Sequence, residues 1–339
     1  MYYSDIAGQN DTKKSLINTI NNDNVSHCYI FEGPKGMGKY ELSLVFAQSL
    51  FCNNFKINEE PCNICGDCIK FNSMNHPDLH VINLDEKTIK REDIDKLIES
   101  INKKPYEASK KVYIIKDSHE MTPQAANTFL KTLEEPPKDS IIILLTNNIN
   151  LLIPTIISRC QVIKFKDINK NEIKNFLIEK YNVDIVMAAV IAYYSKGILN
   201  KAINIITKKD DIIEKRKVVI ELFDNIIKTD SGIIFDFEKY FEEQKDNIDE
   251  IIEILMLWIR DVTFVKNKME GLLINKDYLE LAKEHAKYMR NDSSDDLIEN
   301  LQRISDNIKN NVNYKLTIDR MLLKIQEVFK YDKGSWRKI

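Results

Sequence analysis

The sequence predicts an α/β fold: a largely parallel sheet covered by helices on both faces, followed by a region that is helical throughout. Three observations carry this reading. Apolar runs at Cys28–Phe31, Leu79–Ile82, Val112–Ile115, Ile141–Leu145 and Gln161–Phe165 alternate with helical stretches, which is the pattern of strands buried on both faces. All eight prolines lie at or before Pro154 and only four glycines follow it, so the chain loses its helix breakers near residue 165. Between the first apolar run and the helical spacing of Leu42, Val45, Phe46 and Leu50 stands Gly33-Pro34-Lys35-Gly36-Met37-Gly38-Lys39-Tyr40. A loop of this kind, entering a helix, aims backbone N–H groups and the positive end of the helix dipole at one spot where a phosphate can sit.

This loop fits the phosphate-loop pattern G-x-x-x-x-G-K-[ST] at Gly33, Gly38 and Lys39 and departs from it at Tyr40. With Gly36, these residues are the candidates for holding the phosphates of ATP or ADP. The small hydroxyl residue that would ligate magnesium is missing, because a phenol oxygen lies too far from the backbone to replace it. A glycine turn without nucleotide is the alternative.

Next along the chain, Cys52, Cys62, Cys65 and Cys68 are spaced C-x9-C-x2-C-x2-C, with Pro61 and Gly66 supplying turns. Four thiolates with no open position describe a structural zinc site rather than a catalytic one; an iron–sulfur cluster is the rival. The cluster reads as an insertion on the nucleotide-binding-type domain. Cys28, inside a strand, reads as a small core residue.

The run Val112–Ile115 is the strand whose end should carry the second magnesium ligand, an acid. The residue there is Lys116, and Asp117 beside it has a shorter reach than glutamate. A cation repels the metal it should hold, so both magnesium handles are lost and hydrolysis by this chain is not expected. The following helix, Pro123–Leu133, has its own signals: Thr122 to cap it, Pro123 in its first turn and Pro136-Pro137 to stop it. Glu134 and Glu135 need no catalytic role on this reading. Beyond residue 165 the predicted helices are Glu172–Lys180, Asp184–Ser195, Leu199–Thr207, Ile212–Lys228, Asn247–Lys268, Asp277–Arg290, Asp295–Asn310 and Lys315–Lys330. Ile251, Leu255, Trp258 and Val262 form a core stripe at helical spacing.

A net charge of -3 gives no global attraction to nucleic acid, so DNA contact must come from a local patch or from assembly with other chains. No secretory pattern and no long apolar span is visible, which predicts a cytoplasmic protein with no membrane contact.

Ala7-Gly8-Gln9, the loop GPKGMGK, the four-cysteine knuckle, His76-Pro77-Asp78, the run from Lys111 to Pro137 containing LEEPP, and Ser158-Arg159-Cys160 together resemble the clamp-loader AAA+ family. The likeness is clear over residues 1 to about 165 and weaker beyond. It implies an AAA+ domain with a RecA-like sheet at 1–165, its zinc insertion at 52–68, a helical lid at 166–208 and a helical collar at 209–339. It further implies a five-membered ring that places a sliding clamp on primer-template DNA. The chain would be the non-hydrolysing member beside ATPase (gamma/tau) and delta subunits, with Arg159 as an arginine finger completing a neighbour's ATP site. Where the ATPase members carry a sensing arginine on the lid, this chain has Asn200, with Lys201 next to it. Two other readings stand: a working gamma/tau-type ATPase, and a stand-alone zinc-containing nucleic-acid-binding protein.

Overall fold

The computed structural model describes residues 1–82, 88–228, 234–290, 294–309 and 313–329. These divide into two compact units, one of Met1–Asn182 with Ser195–Ile203, the other of Val183–Tyr194 with the described residues from Asn204 onward. In the first unit all five expected strands form: β1 (Cys28–Glu32), β2 (Leu79–Ile82), β3 (Lys111–Ile115), β4 (Ser140–Thr146) and β5 (Gln161–Lys164). They make one sheet in the order β2-β3-β4-β1-β5, with every pairing parallel. The sheet is therefore RecA-like, and β1, which feeds the glycine loop, lies inside it.

Alternation along the strands sends side chains to two separate cores. Tyr29, Phe31, Val112, Ile114, Ile141 and Ile143 face one core with Leu42, Val45 and Phe46. Cys28, Ile30, Tyr113, Ile115, Ile142 and Leu144 face the other with Ile94, Leu97, Phe129 and Leu133. Helices Asn10–Asn21 and Lys39–Phe51 cover the first face, and Arg91–Ile101 and Pro123–Glu134 the second. The last of these begins as expected: the Thr122 hydroxyl accepts from the Ala125 amide at 3.2 Å, with proline in the first turn.

Cys28 is fully buried, as a strand residue should be, but it is also disulfide-bonded to Cys160. This pairing corrects the reading of Cys28 as a core residue alone. The two lie 132 positions apart, and only the parallel register that sets Tyr29 opposite Gln161 brings them together.

The second unit is helical. It contains Ile185–Tyr194, Ile212–Lys228, Ile234–Glu243, Ile248–Lys266, Leu279–Tyr288, Ser294–Lys309 and Tyr314–Phe329. The predicted stripe of Ile251, Leu255, Trp258 and Val262 is buried at its centre. Trp258 donates its indole N–H to His285 Nδ1 at 3.2 Å, and the other ring nitrogen of His285 lies 3.3 Å from Asp224. Asn310 and Lys330, the predicted last residues of the final two helices, lie outside the described residues, as does the end of the predicted collar. Among the described residues no helix is long and apolar enough to cross a membrane.

Candidate functional site

The phosphate loop leaves the carboxyl end of β1 and enters the helix Lys39–Phe51. Gly36 and Gly38 hold φ of +86° and +82°, which side chains rarely adopt. A Cβ on Gly36 would also meet Asn200 Cβ at 2.9 Å. The Asn200 amide donates to the Gly36 carbonyl at 3.1 Å, so Asn200 buttresses the loop. Lys39 is buried at the base of the loop. Its ammonium donates to the Gly33 carbonyl, to the Pro34 carbonyl at 2.8 Å and to Asn147 Oδ1 at 3.1 Å. Burial pushes its pKa down to about 8, against the nearby carboxylates of Asp117, Glu41 and Glu32.

A cleft of about 420 Å³ opens beside the loop, lined by Lys35, Lys39, Lys116, Ile6, Phe176 and Ile203 among others. The two departures from the magnesium-binding pattern meet at this cleft: Lys116 Nζ lies 3.6 Å from the centroid of the Tyr40 ring. A cation–π contact of this kind is worth about 0.5–2 kcal/mol, the more when desolvated. The two residues at which the sequence departs from the magnesium-binding pattern are therefore in direct contact.

Arg159 lies between the short helix Pro154–Ile157 and β5, at the amino end of its strand. Its guanidinium donates to Glu134 Oε1 at 2.6 Å and to the Thr155 carbonyl at 2.9 Å. About a third of the side chain stays open to solvent. The sequence reading gave Glu134 no role; the structure makes it the carboxylate that holds Arg159. No local signal could have shown this, because the partners are 25 residues apart and meet only through packing of helix against sheet. Half-exposed ion pairs of this sort contribute little, about 0–1 kcal/mol. Glu134→Gln is therefore expected to lower unfolding stability by less than about 1 kcal/mol in urea denaturation; a loss several times larger would mean that the pair is structural.

The four cysteines converge. Their sulfurs all lie within 4.8 Å of one another, and Cys62 Sγ is 4.0 Å from Cys68 Sγ. Tetrahedral bonds of about 2.3 Å to one ion require sulfurs roughly 3.8 Å apart, so the set fits a metal ion. The Cys62 amide donates to Cys52 Sγ at 3.2 Å and the Cys65 amide to Cys62 Sγ at 3.4 Å, contacts that favour thiolates. Amide donation from Ile64 heads the causes that bring the Cys62 thiol down to about 6. Cys52 and Cys68 are pushed up by burial. The knuckle also reaches the wall of the cleft: Glu60 accepts from the amides of Tyr3 at 2.7 Å and Ser4 at 3.0 Å, next to cleft residues Asp5 and Ile6.

His76 and Asp78 prove to be structural. The His76 ring stacks on Phe51 with centroids 4.1 Å apart. Asp78, fully buried, accepts from the amides of Tyr106 at 2.7 Å and of Glu107 and Ala108 at 2.9 Å. Burial opposes its charge, but the three amides hold its pKa below the ordinary aspartate value. The stabilisation is thus complete above the ordinary value of about 4 and is lost as pH falls through the depressed folded value. Asp78→Ala is expected to cost about 2–3 kcal/mol near neutral pH, since three amides lose an ionised acceptor. The gap from wild type should narrow in acid denaturation; an equal gap at every pH would show that the carboxylate charge is not the cause.

A phosphate loop on an inner strand of a β2-β3-β4-β1-β5 parallel sheet, with an arginine at the amino end of β5, defines an AAA+ nucleotide-binding-type protein. A family described as DNA polymerase III, delta subunit, matches residues 8–169, and one described as DNA polymerase III, delta subunit, C terminal, matches 210–327. The chain is 34% identical over 317 residues to DNA polymerase III subunit delta' of Bacillus subtilis (strain 168), across 93% of this chain and 95% of that protein. It is 33% identical over 221 residues to the gamma/tau subunit of Mycoplasma pneumoniae, across 64% of this chain and 32% of that one. Identity to the tau subunit of Bacillus subtilis is 28% over 310 residues, across 83% and 54%. The chain belongs to the delta-prime family of DNA polymerase III subunits. The resemblance to clamp-loader AAA+ proteins is thereby borne out.

Proposed function

We propose that this chain is the non-hydrolysing subunit of a bacterial clamp loader, acting with gamma/tau and delta subunits to place a sliding clamp on primer-template DNA. The observation that carries this reading is the Lys116–Tyr40 contact, which fills both magnesium-holding positions with groups that cannot ligate the metal. Arg159 is the residue given in trans: its guanidinium is part exposed, at the opposite end of the sheet from its own phosphate loop. A planar cation delivered to developing phosphate charge stabilises the transition state of phosphoryl transfer. Cys52, Cys62, Cys65 and Cys68 hold a structural zinc ion, which stiffens the insertion at 52–68 and takes no part in chemistry. Residues 1–165 form the nucleotide-binding-type domain, 166–208 the lid and 209–339 the collar through which the ring assembles.

The test is steady-state ATP turnover by the purified chain, alone and mixed with the ATPase subunits, delta, clamp and primed DNA. No turnover alone, with full turnover in the mixture only when this chain is present, is the expected result. Hydrolysis by the isolated chain that Lys39→Ala abolishes would make it a gamma/tau-type motor instead.

A further inference from the structure

The cleft beside the phosphate loop has lost its metal ligands, yet it has kept the features that hold phosphates. Gly36 and Gly38 keep the left-handed conformations of a loop that can present backbone amides to an anion. Lys39 sits at the base of the loop bonded only to neutral oxygens, the carbonyls of Gly33 and Pro34 and the amide oxygen of Asn147. An anionic oxygen is a stronger partner for an ammonium than any of these, so a phosphate gives Lys39 a better bond than it now has. Ile6, Phe176 and Ile203 supply an apolar wall for a base. Asp5, Glu41 and Asp117 offset the charge of the three lysines lining the cleft, so an anion is held by placed donors rather than by a broad positive field.

Lys116 is the unusual part. A metal-dependent site carries the nucleotide's counter-ion on protein oxygens; here a covalently attached cation is fixed over an aromatic ring at the same place. We propose that the cleft binds the phosphate chain of a nucleoside di- or triphosphate without a divalent ion, with Lys116 in the counter-ion's place. A magnesium-chelated nucleotide brings its Mg²⁺ against Lys116 and is the poorer ligand. The chain then holds nucleotide as a static part of its fold, with no metal present to polarise the terminal phosphate. This rests on reading the glycine loop as a phosphate site.

The experiment is a titration of the purified full chain with fluorescently labelled ADP and ATP, in EDTA and in Mg²⁺. The expected result is a Kd in EDTA no weaker than in Mg²⁺, weakened about tenfold by Lys116→Gln, the loss of one charge-assisted bond. Lys116→Arg, which keeps the cation over the ring, should retain metal-free binding; a melting curve for each variant matching wild type shows that the fold is intact. Binding that requires Mg²⁺, or Lys116→Gln that binds as wild type in EDTA, overturns the role given to Lys116 and leaves the phosphate site standing. Absence of binding in both buffers overturns the phosphate site and this proposal together, while the part assigned to Arg159 is unaffected.

Discussion

Replacing Arg159 by alanine is expected to lower ATP turnover at the neighbouring site it is proposed to complete by about 10³-fold or more, the range of arginine fingers supplied in trans. The measurement needs an assembled complex in which the adjacent ATPase subunit carries the one intact phosphate loop, so that other sites do not mask the loss. Arg159→Lys should recover little, because an ammonium is a point charge and cannot span two phosphate oxygens as a planar fork does. The contacts with Glu134 and Thr155 give a control. Breaking a half-exposed pair costs at most about 1 kcal/mol, so the variant should melt close to wild type while turnover collapses. Wild-type turnover from Arg159→Ala would remove the finger from the account.

The second large effect is expected at the cysteine knuckle. Protein purified under reducing conditions should carry close to one equivalent of zinc, and Cys65→Ser should lose it, since three thiolates close the tetrahedron far less well than four. Structural zinc binding is itself folding free energy, about 10–16 kcal/mol in isolated zinc-finger peptides. Here Phe55, Phe71, Cys52 and Cys68 belong to the core under the sheet, which retains part of the local order. A loss of several kcal/mol is therefore expected rather than complete unfolding. The loss should spread to the cleft wall through the contacts of Glu60 with Tyr3 and Ser4, seen as faster amide exchange at both. Metal content unchanged by Cys65→Ser, or no metal in the reduced wild type, would refute the assignment.

Much of this architecture was legible in the sequence, for identifiable reasons. Inner strands buried on both faces leave continuous apolar runs, and all five strands, the less buried edge strands β2 and β5 included, appear where apolar runs lie. Tyr40 and Lys116 could each be read as a lost ligand because the loop and the second strand fix their positions. Their contact could not be read, since it depends on β3 and β1 lying on either side of β4. The Cys28–Cys160 bond and the Glu134–Arg159 pair were hidden for the same reason: each joins distant segments through the sheet order. One helix, Ile234–Glu243, was missed between the predicted helices ending at Lys228 and starting at Asn247. It is short, and its aromatic residues Phe235, Phe237, Tyr240 and Phe241 suit strands as well as helices, so its spacing alone is ambiguous.

Because all five strands run the same way, the sheet has a polarity that the chain uses at both rims. The phosphate loop leaves the far rim at Gly33, while Arg159 arrives at the near rim just before Cys160, whose bonded partner Cys28 lies five residues back along β1, roughly 16 Å away at strand rise. A molecule with its socket on one rim and its plug on the other cannot serve itself. If Arg159 acts in trans as proposed, socket and plug join neighbouring subunits head to tail, an arrangement that closes into a ring or runs on without end. On the role proposed above, Lys116 and Tyr40 stand at the metal-holding positions of this socket without closing its cleft, so the plug is the connector of catalytic use, and the chain would mark the place where a row of hydrolysing sites stops.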